Sequence, residues 1–194
     1  TIRQLAESFG VQLFLPADLG SLRGFVADRP DLVRAYVEAL AQSIYEGVAK
    51  LDFTPDLILT SYHGMPVKYL ESGDPYHCQC AKTSRLLRER LGWEKGSIDT
   101  TFQSVFGPEE WLKPYTVEHV AELAKQGKKR IAVIAPAFSA DCIETLEEIQ
   151  GEICEAFMHA GGESFTYIPC LNDQPAHITA LSGIIRENLG GWLA

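Results

Sequence analysis

Three glutamates stand four residues apart, Glu144, Glu148 and Glu152, in a chain of 194 residues. In an α-helix a step of four advances about 400°, so the three carboxylates form one slowly drifting stripe. A π-type widening would also stack them, and such widenings often mark functional sites. Two readings of the stripe stand side by side. It is a solvated acidic face, helped by glutamate near a helix N-terminus. Or it is a row that leads metal ions or protons to a site at the carboxyl end of the preceding strand, where open α/β sheets bind ligands. His63 adds to the second reading. It directly follows a stretch that reads as a buried strand and precedes Gly64, which lets another group approach closely. Neutral imidazole takes up protons and binds borderline metals near neutral pH. The bland alternative is a structural histidine. One histidine facing a row of glutamates is a suitable kit for exchanging protons for a metal ion.

Two further groups carry weaker signals. His77, Cys78 and Cys80 form an H-C-x-C cluster, but Cys142, Cys154 and Cys170 lie alone. Structural zinc normally takes four ligands, often as two close pairs, so free thiols near a helix start are the default. Phe102, Phe106 and Trp111 sit on one strand and the long loop after it. They are either loop packing or a wall for a flat apolar ligand.

The elements that must position these groups alternate. Residues 2–9 read as the end of a helix, 11–15 as a short strand and 16–30 as loop. Residues 31–50 carry Leu32, Val33, Tyr36, Val37, Leu40, Ile44 and Val48 at helical spacing. A buried strand over 57–61 leads to His63, and residues 67–78 read as irregular. A basic helix spans 79–91, a strand 98–103, a long loop 104–115 and a helix 116–126. Ile131 to Ala135 is a short apolar strand, expected to be buried on both faces. Asp141 then caps a helix of about 142–160, with Glu144 in the capping-box position. A strand over 165–168 and a helix ending near Asn188 complete the pattern. Alternating strands and helices predict an α/β fold, a doubly wound and mostly parallel sheet with helices on both faces. His63 and Glu144 then lie at the same sheet edge.

Composition sets outer limits. The apolar fraction of 46% suits a globular protein with a real core. No apolar run reaches the roughly 18 residues of a membrane span. A net charge of −9 argues against nucleic acid as the main partner. It also disfavours tight binding to anionic lipid, leaving peripheral membrane contact through a local basic patch. Five scattered cysteines do not form a secreted disulfide framework and fit a reducing, cytoplasmic setting. The chain opens on Thr1 without a signal-peptide pattern, as expected of a fragment.

Several separated motifs converge on one family. They are Ser61-Tyr62-His63-Gly64-Met65-Pro66, Gly73-Asp74-Pro75-Tyr76, Phe102-Gln103-Ser104 with Gly107-Pro108, Trp111-Leu112 and Pro114-Tyr115, then Phe138 through Leu146, and Tyr167 through Asn172. In this order they resemble the C-terminal half of ferrochelatase, over roughly residues 31–190. The resemblance implies a chelatase-like, Rossmann-type half-domain over 31–194, preceded by a weakly matching segment over 1–30. It implies insertion of ferrous iron into a porphyrin, protoporphyrin IX or coproporphyrin III, in haem synthesis. The family's metal-facing histidine falls on His63 and its essential glutamate on Glu144. Glu148 and Glu152 fall on further acidic positions of a helix with a π-type widening, which favours the functional reading of the stripe. The same motifs put Tyr62, Met65, Gln103, Ser104 and Trp111 among the expected substrate contacts.

The family grips its porphyrin between two similar halves, so the resemblance also implies a missing N-terminal half or another subunit as partner. Iron is a substrate, and no permanent cofactor is required. Four cysteines matching a [2Fe–2S] set are not found, so no cluster is expected. Under this reading the two inner protons of the porphyrin leave as the metal enters. His63 takes protons or holds the metal, Glu144 pairs with it, and Glu148 and Glu152 relay protons or iron inward. The alternatives are a cobalt chelatase of corrin synthesis and a tetrapyrrole- or metal-binding fragment without turnover.

Overall fold

The structure is a computed structural model that describes residues 30–191. The expected helix end over 2–9, strand over 11–15 and most of the loop over 16–30 lie outside the described residues. Helix α1 (Pro30–Ala49) leads into β1 (Leu57–His63), followed by a short α2 (Val67–Glu71) and a long α3 (Tyr76–Leu91). Then come β2 (Ile98–Gln103), α4 (Thr116–Lys125) and β3 (Arg130–Ile134). A π-helix (Glu144–Ile153) continues directly into α5 (Cys154–His159), and β4 (Ser164–Ile168) and α6 (Pro175–Asn188) follow.

The described strands form one sheet in the order β2-β1-β3-β4, and every pairing is parallel. Alternation along the strands sends apolar side chains to both faces. Ile58, Ala132, Ile134 and Ile168 pack on one face with Leu40, Ile44 and Leu87 of α1 and α3. Leu57, Leu59, Ile131 and Val133 pack on the other with Val120 of α4, Ile149 and Ile153 of the π-helix and Phe157 of α5. A third cluster closes the carboxyl end, built from Tyr62, Tyr76, Cys80, Phe102 and Leu112.

Two sequence expectations change here. Residues 67–78 are not simply irregular, because α2 occupies part of them and α3 begins at Tyr76 rather than 79. Asp74 supplies the start signal: its carboxylate accepts the Tyr76 backbone N–H at 2.8 Å, just before a proline-led first turn. The capping box at Asp141 and Glu144 does not form. The π-helix begins after Ile143 with no side-chain cap. Asp141 turns instead toward Tyr167, Cys170 and Asn172, while the Thr145 hydroxyl accepts the Cys142 backbone N–H at 2.9 Å.

Candidate active site

His63 ends β1 and pairs in register with Gln103, the last residue of β2. Side chains alternate along a strand, so Leu57, Leu59, Ser61 and His63 share the face covered by α4 and the π-helix. Gln103 shares it too, because the Ser61 hydroxyl donates to its Oε1 at 2.7 Å. Ser61 also meets Thr116 of α4 at 2.9 Å, and Thr116 donates to Thr101 at 2.9 Å. This buried hydroxyl chain leaves the Gln103 amide one free direction, toward the π-helix. Its Nε2 donates to the Glu144 carbonyl at 2.7 Å and to the Glu148 carboxylate at 3.2 Å.

The histidine itself is half-buried and held. Its Nδ1 lies 2.7 Å from the Gly64 carbonyl. A carbonyl only accepts, so Nδ1 carries the hydrogen and the neutral ring keeps its lone pair on Nε2. The His63 carbonyl accepts the Tyr76 hydroxyl at 2.8 Å, which fixes the backbone below the ring. Trp111 and Phe138 flank the imidazole at 6.5 and 6.4 Å between ring centroids. Gly64 is required by space rather than by conformation. A Cβ there would stand 2.6 Å from the Gln103 carbonyl oxygen and 2.9 Å from the Trp111 ring.

Glu144 opens the π-helix on the same edge and the same face as His63. Hydrogen bonds from the Cys142 thiol and from its own backbone N–H hold its carboxyl below the usual glutamate range. The neighbouring His63 imidazole acts in the same direction, against the opposing effect of burial. Burial, then the bond to Glu144, pushes the Cys142 thiol up.

The three glutamates do not share one environment. Glu144 is half-buried beside His63. Glu148 accepts the Ser104 backbone N–H at 2.5 Å and the Ser104 hydroxyl at 2.6 Å in addition to the Gln103 amide. Ser104 sits at φ 61°, a left-handed conformation that turns its N–H toward that carboxylate. Glu152 is exposed. The row therefore grades from a histidine-facing end, through a carboxylate occupied by the β2 loop, to an open end.

The expected substrate contacts divide. Gln103 and Ser104 stand at the site, tied to the π-helix. Met65 is half-buried, and its carbonyl accepts the Leu112 N–H at 2.9 Å. Tyr62 points the other way: it is 2% exposed, and its hydroxyl meets Ser84 at 3.0 Å. Its even place on β1 puts it on the face opposite His63, where it packs in the core. Trp111 reaches His63 but is only 4% exposed, and its Nε1 has no hydrogen-bond partner. Phe102 is buried in the core with Tyr62. Of the three rings read as either loop packing or a ligand wall, Phe102 and Trp111 are packed, and Phe106 is 69% exposed and 4.7 Å from Trp111. Val105, Ile143 and Leu146, unremarked in the sequence, are also exposed on the β2 loop and the start of the π-helix. Cys78 is exposed and Cys80 buried, and no group of three or more potential metal-binding side chains occurs among the described residues.

Sequence reasoning assigned Asp141 a capping role only, and Thr145 and Asn172 no role of their own beyond the motifs that contain them. The Asp141 carboxylate accepts from the Tyr167 hydroxyl at 2.6 Å, Asn172 Nδ2 at 2.7 Å, and the Cys170 N–H and Thr145 hydroxyl at 3.2 Å each. Burial alone would raise its pKa; the bonds from Asn172, Tyr167 and Cys170 outweigh burial and hold it below the usual aspartate range.

The ferrochelatase family model matches residues 27–189. The ferrochelatase of Rhodobacter capsulatus is 70% identical over 159 residues, covering 82% of this chain and 45% of that protein. The ferrochelatase of Allorhizobium ampelinum is 60% identical over 158 residues, covering 81% and 46%. The chain thus spans about half the length of these relatives. Among solved structures, SirB from Bacillus subtilis with Fe3+ superposes with a TM-score of 0.53 at 14% identity, over 77% of this chain and 53% of that one. That likeness extends to the parallel α/β fold. With a family match over most of its length and relatives this similar, the chain belongs to the ferrochelatase family.

Proposed function

We propose that this chain is the metal-handling half of an enzyme that inserts ferrous iron into a porphyrin in haem synthesis, releasing two protons. The observation that carries the proposal is the meeting of His63 and Glu144. They come from different parts of the chain and meet at one end of the sheet, where Gln103, paired with His63, donates to the Glu144 carbonyl at 2.7 Å. Iron is the substrate. His63, with its lone pair on Nε2, accepts an inner porphyrin proton or holds the entering metal. Glu144, kept anionic, stabilises the imidazolium that results. Glu152, exposed, is the outer end of an acidic approach, and Glu148 joins that approach to the β2 loop.

Ring binding falls to apolar surface. Phe106, Val105, Ile143 and Leu146 expose apolar side chains on the elements that hold Ser104 and Glu144. Broad contact with a macrocycle would supply binding energy that distorts it toward the metal-accepting shape. A second half, in the same polypeptide or as another subunit, would complete the grip; the coverage of about 45% of the relatives supports this. In this proposal residues 31–194 form the C-terminal half-domain, and the enzyme is cytoplasmic. No helix among the described residues is long and apolar enough to cross a membrane.

The test is metal insertion by protein carrying both halves, followed as metalloporphyrin formation from protoporphyrin IX or coproporphyrin III. Iron insertion that saturates with porphyrin is the expected result. Cobalt insertion into a precorrin-type ring alone, or tight porphyrin binding with no insertion, overturns it.

A further inference from the structure

We propose that Asn172 is a positioning residue for Glu144: it clamps the uncapped start of the π-helix through Asp141, without touching substrate. This rests on the function proposed above. The π-helix begins with no side-chain cap, so its first turn needs another source of orientation. Asn172 lies after β4, at φ 48°, a left-handed conformation that asparagine tolerates better than most residues.

Asn172 spends each of its polar groups in that position. Its backbone N–H donates to the Ser139 carbonyl at 3.1 Å. Its Oδ1 accepts the Asp141 N–H at 2.8 Å, and its Nδ2 donates to the Asp141 carboxylate at 2.7 Å and the Cys170 carbonyl at 3.1 Å. Its carbonyl accepts from Nδ1 of the buried His177 at 2.7 Å, and the other nitrogen of that ring lies 3.1 Å from the Ser139 hydroxyl. A single residue thus grips the loop between β3 and the π-helix at Ser139 and twice at Asp141.

Asp141 passes the restraint on. Its carboxylate accepts from the Thr145 hydroxyl, and that hydroxyl accepts the Cys142 N–H. Cys142 and Thr145 bracket Glu144 in the chain, so the bonds between them fix the turn that carries it. The chain of bonds runs from the segment after β4 to the turn that carries Glu144. The pairing of Asn172 with Asp141 also has a chemical sense: an amide supplies both the acceptor for the Asp141 N–H and the donor for its carboxylate. A carboxylate at position 172 keeps the first and turns the second into repulsion.

The experiment uses Asn172→Asp, Asn172→Gly and the exchange Asp141→Asn with Asn172→Asp, in protein carrying both halves. The exchange restores an amide opposite a carboxylate. Glycine keeps the left-handed backbone while deleting the side chain. Initial insertion rates, porphyrin KM and hydrogen exchange of the 140–149 backbone are measured together. Asn172→Asp and Asn172→Gly should lower kcat about tenfold to a hundredfold, as expected for a misplaced catalytic group, with porphyrin KM within about twofold. The exchange should recover kcat to within about threefold of the parent. Hydrogen exchange should quicken at 140–149 in the single variants and return in the double. Unchanged kcat in Asn172→Gly, or no recovery in the double variant, overturns the clamp. An unsubstituted protein that inserts no metal would defeat the proposed function instead, and the exchange data would still decide whether the clamp exists: unchanged protection at 140–149 in Asn172→Gly refutes it.

Discussion

Adding one carbon at Gly64 should damage both stability and turnover. The Cβ of Gly64→Ala would lie 2.6 Å from the Gln103 carbonyl oxygen, the atom that already accepts the Gly64 N–H at 2.7 Å. Ordinary contact begins near 3.4 Å, so β1 and β2 must part by roughly 0.8 Å where they are hydrogen-bonded, or lose that bond. The Trp111 ring, 2.9 Å away, must also retreat. Overpacking of this kind costs about 1–3 kcal/mol. In a domain of this size each kcal/mol lowers Tm by about 2–4 °C, so a fall of roughly 2–12 °C is expected. The strain also travels. Gln103 donates to the Glu144 carbonyl, so a shift of its backbone moves the start of the π-helix relative to His63. Misplacement on the order of 1 Å costs up to about a hundredfold in rate. The matched control is Gly151→Ala, whose Cβ would meet nothing within 4 Å. Replacing a helical glycine with alanine should raise stability by about 0.5–1 kcal/mol and leave insertion intact. Thermal melts and insertion rates on both variants decide the matter. A Gly64→Ala protein that melts within 1 °C or so of the parent and turns over within about twofold of it refutes the reasoning.

The other expectations are simpler to state. His63→Ala should cost about 10²–10⁴-fold in insertion while porphyrin affinity, read by fluorescence quenching, changes little; near-normal turnover would remove His63 from the mechanism. Glu144 is held below the usual glutamate range and so stays charged across about pH 6–8. Glu144→Gln should therefore lower the rate by a factor that is constant over that window, and a ratio that varies with pH would count against the assignment. Asp56 anchors the opposite sheet edge, accepting from the Lys129 and Arg130 backbone N–H groups and the Arg130 guanidinium. Burial alone would raise its pKa; these donors outweigh burial and lower it. Its stabilisation is then fully present above the unfolded aspartate value of about 3.9 and fades as pH falls through the lower folded value. Tm measured from pH 6 to pH 3 or so should fall more for the parent than for Asp56→Asn; parallel curves would contradict it.

Much of the site follows from a period of two. Counting along β1 from Leu57 puts Leu59, Ser61 and His63 on one face and Ile58, Thr60 and Tyr62 on the other. The same count along β2 separates Gln103 from Phe102. Applied fully, it moves Tyr62 and Phe102 into the core before any coordinates exist. Trp111 escapes such counting because it lies in a loop whose path depends on distant contacts: Pro66 pairs with it in an isolated bridge, and Gly64 makes room for its ring. The misplaced capping box has a similar cause. Asp141 and Glu144 have the right spacing for a local cap, but four donors from Tyr167, Cys170, Asn172 and Thr145 compete for the same carboxylate and win. Nothing in a local pattern announces a partner 31 residues away.

The π-helix carries the last connection between sequence and site. Its acidic row, Glu144, Glu148 and Glu152, runs beside an inward row, Thr145, Ile149 and Ile153, which is buried against the sheet. Both rows repeat strictly every four residues, without the alternating threes and fours of an ordinary amphipathic helix. In an α-helix each such step overshoots a full turn by about 40°, and the inward row would rotate off the sheet within a few steps. A wider turn with i→i+5 bonds brings residues four apart back under one another. The same widening that keeps Ile149 and Ile153 buried therefore keeps Glu148 against the β2 loop while Glu144 stays beside His63. Such a helix is rare and is not favoured by its backbone alone. The Gln103 amide on the Glu144 carbonyl, the Ser104 bonds to Glu148 and the Asp141–Thr145 contact are the tertiary forces that hold it. The acidic row and the histidine are thus positioned by one set of interactions, and a perturbation of the β2 loop reaches the chemistry without touching either group.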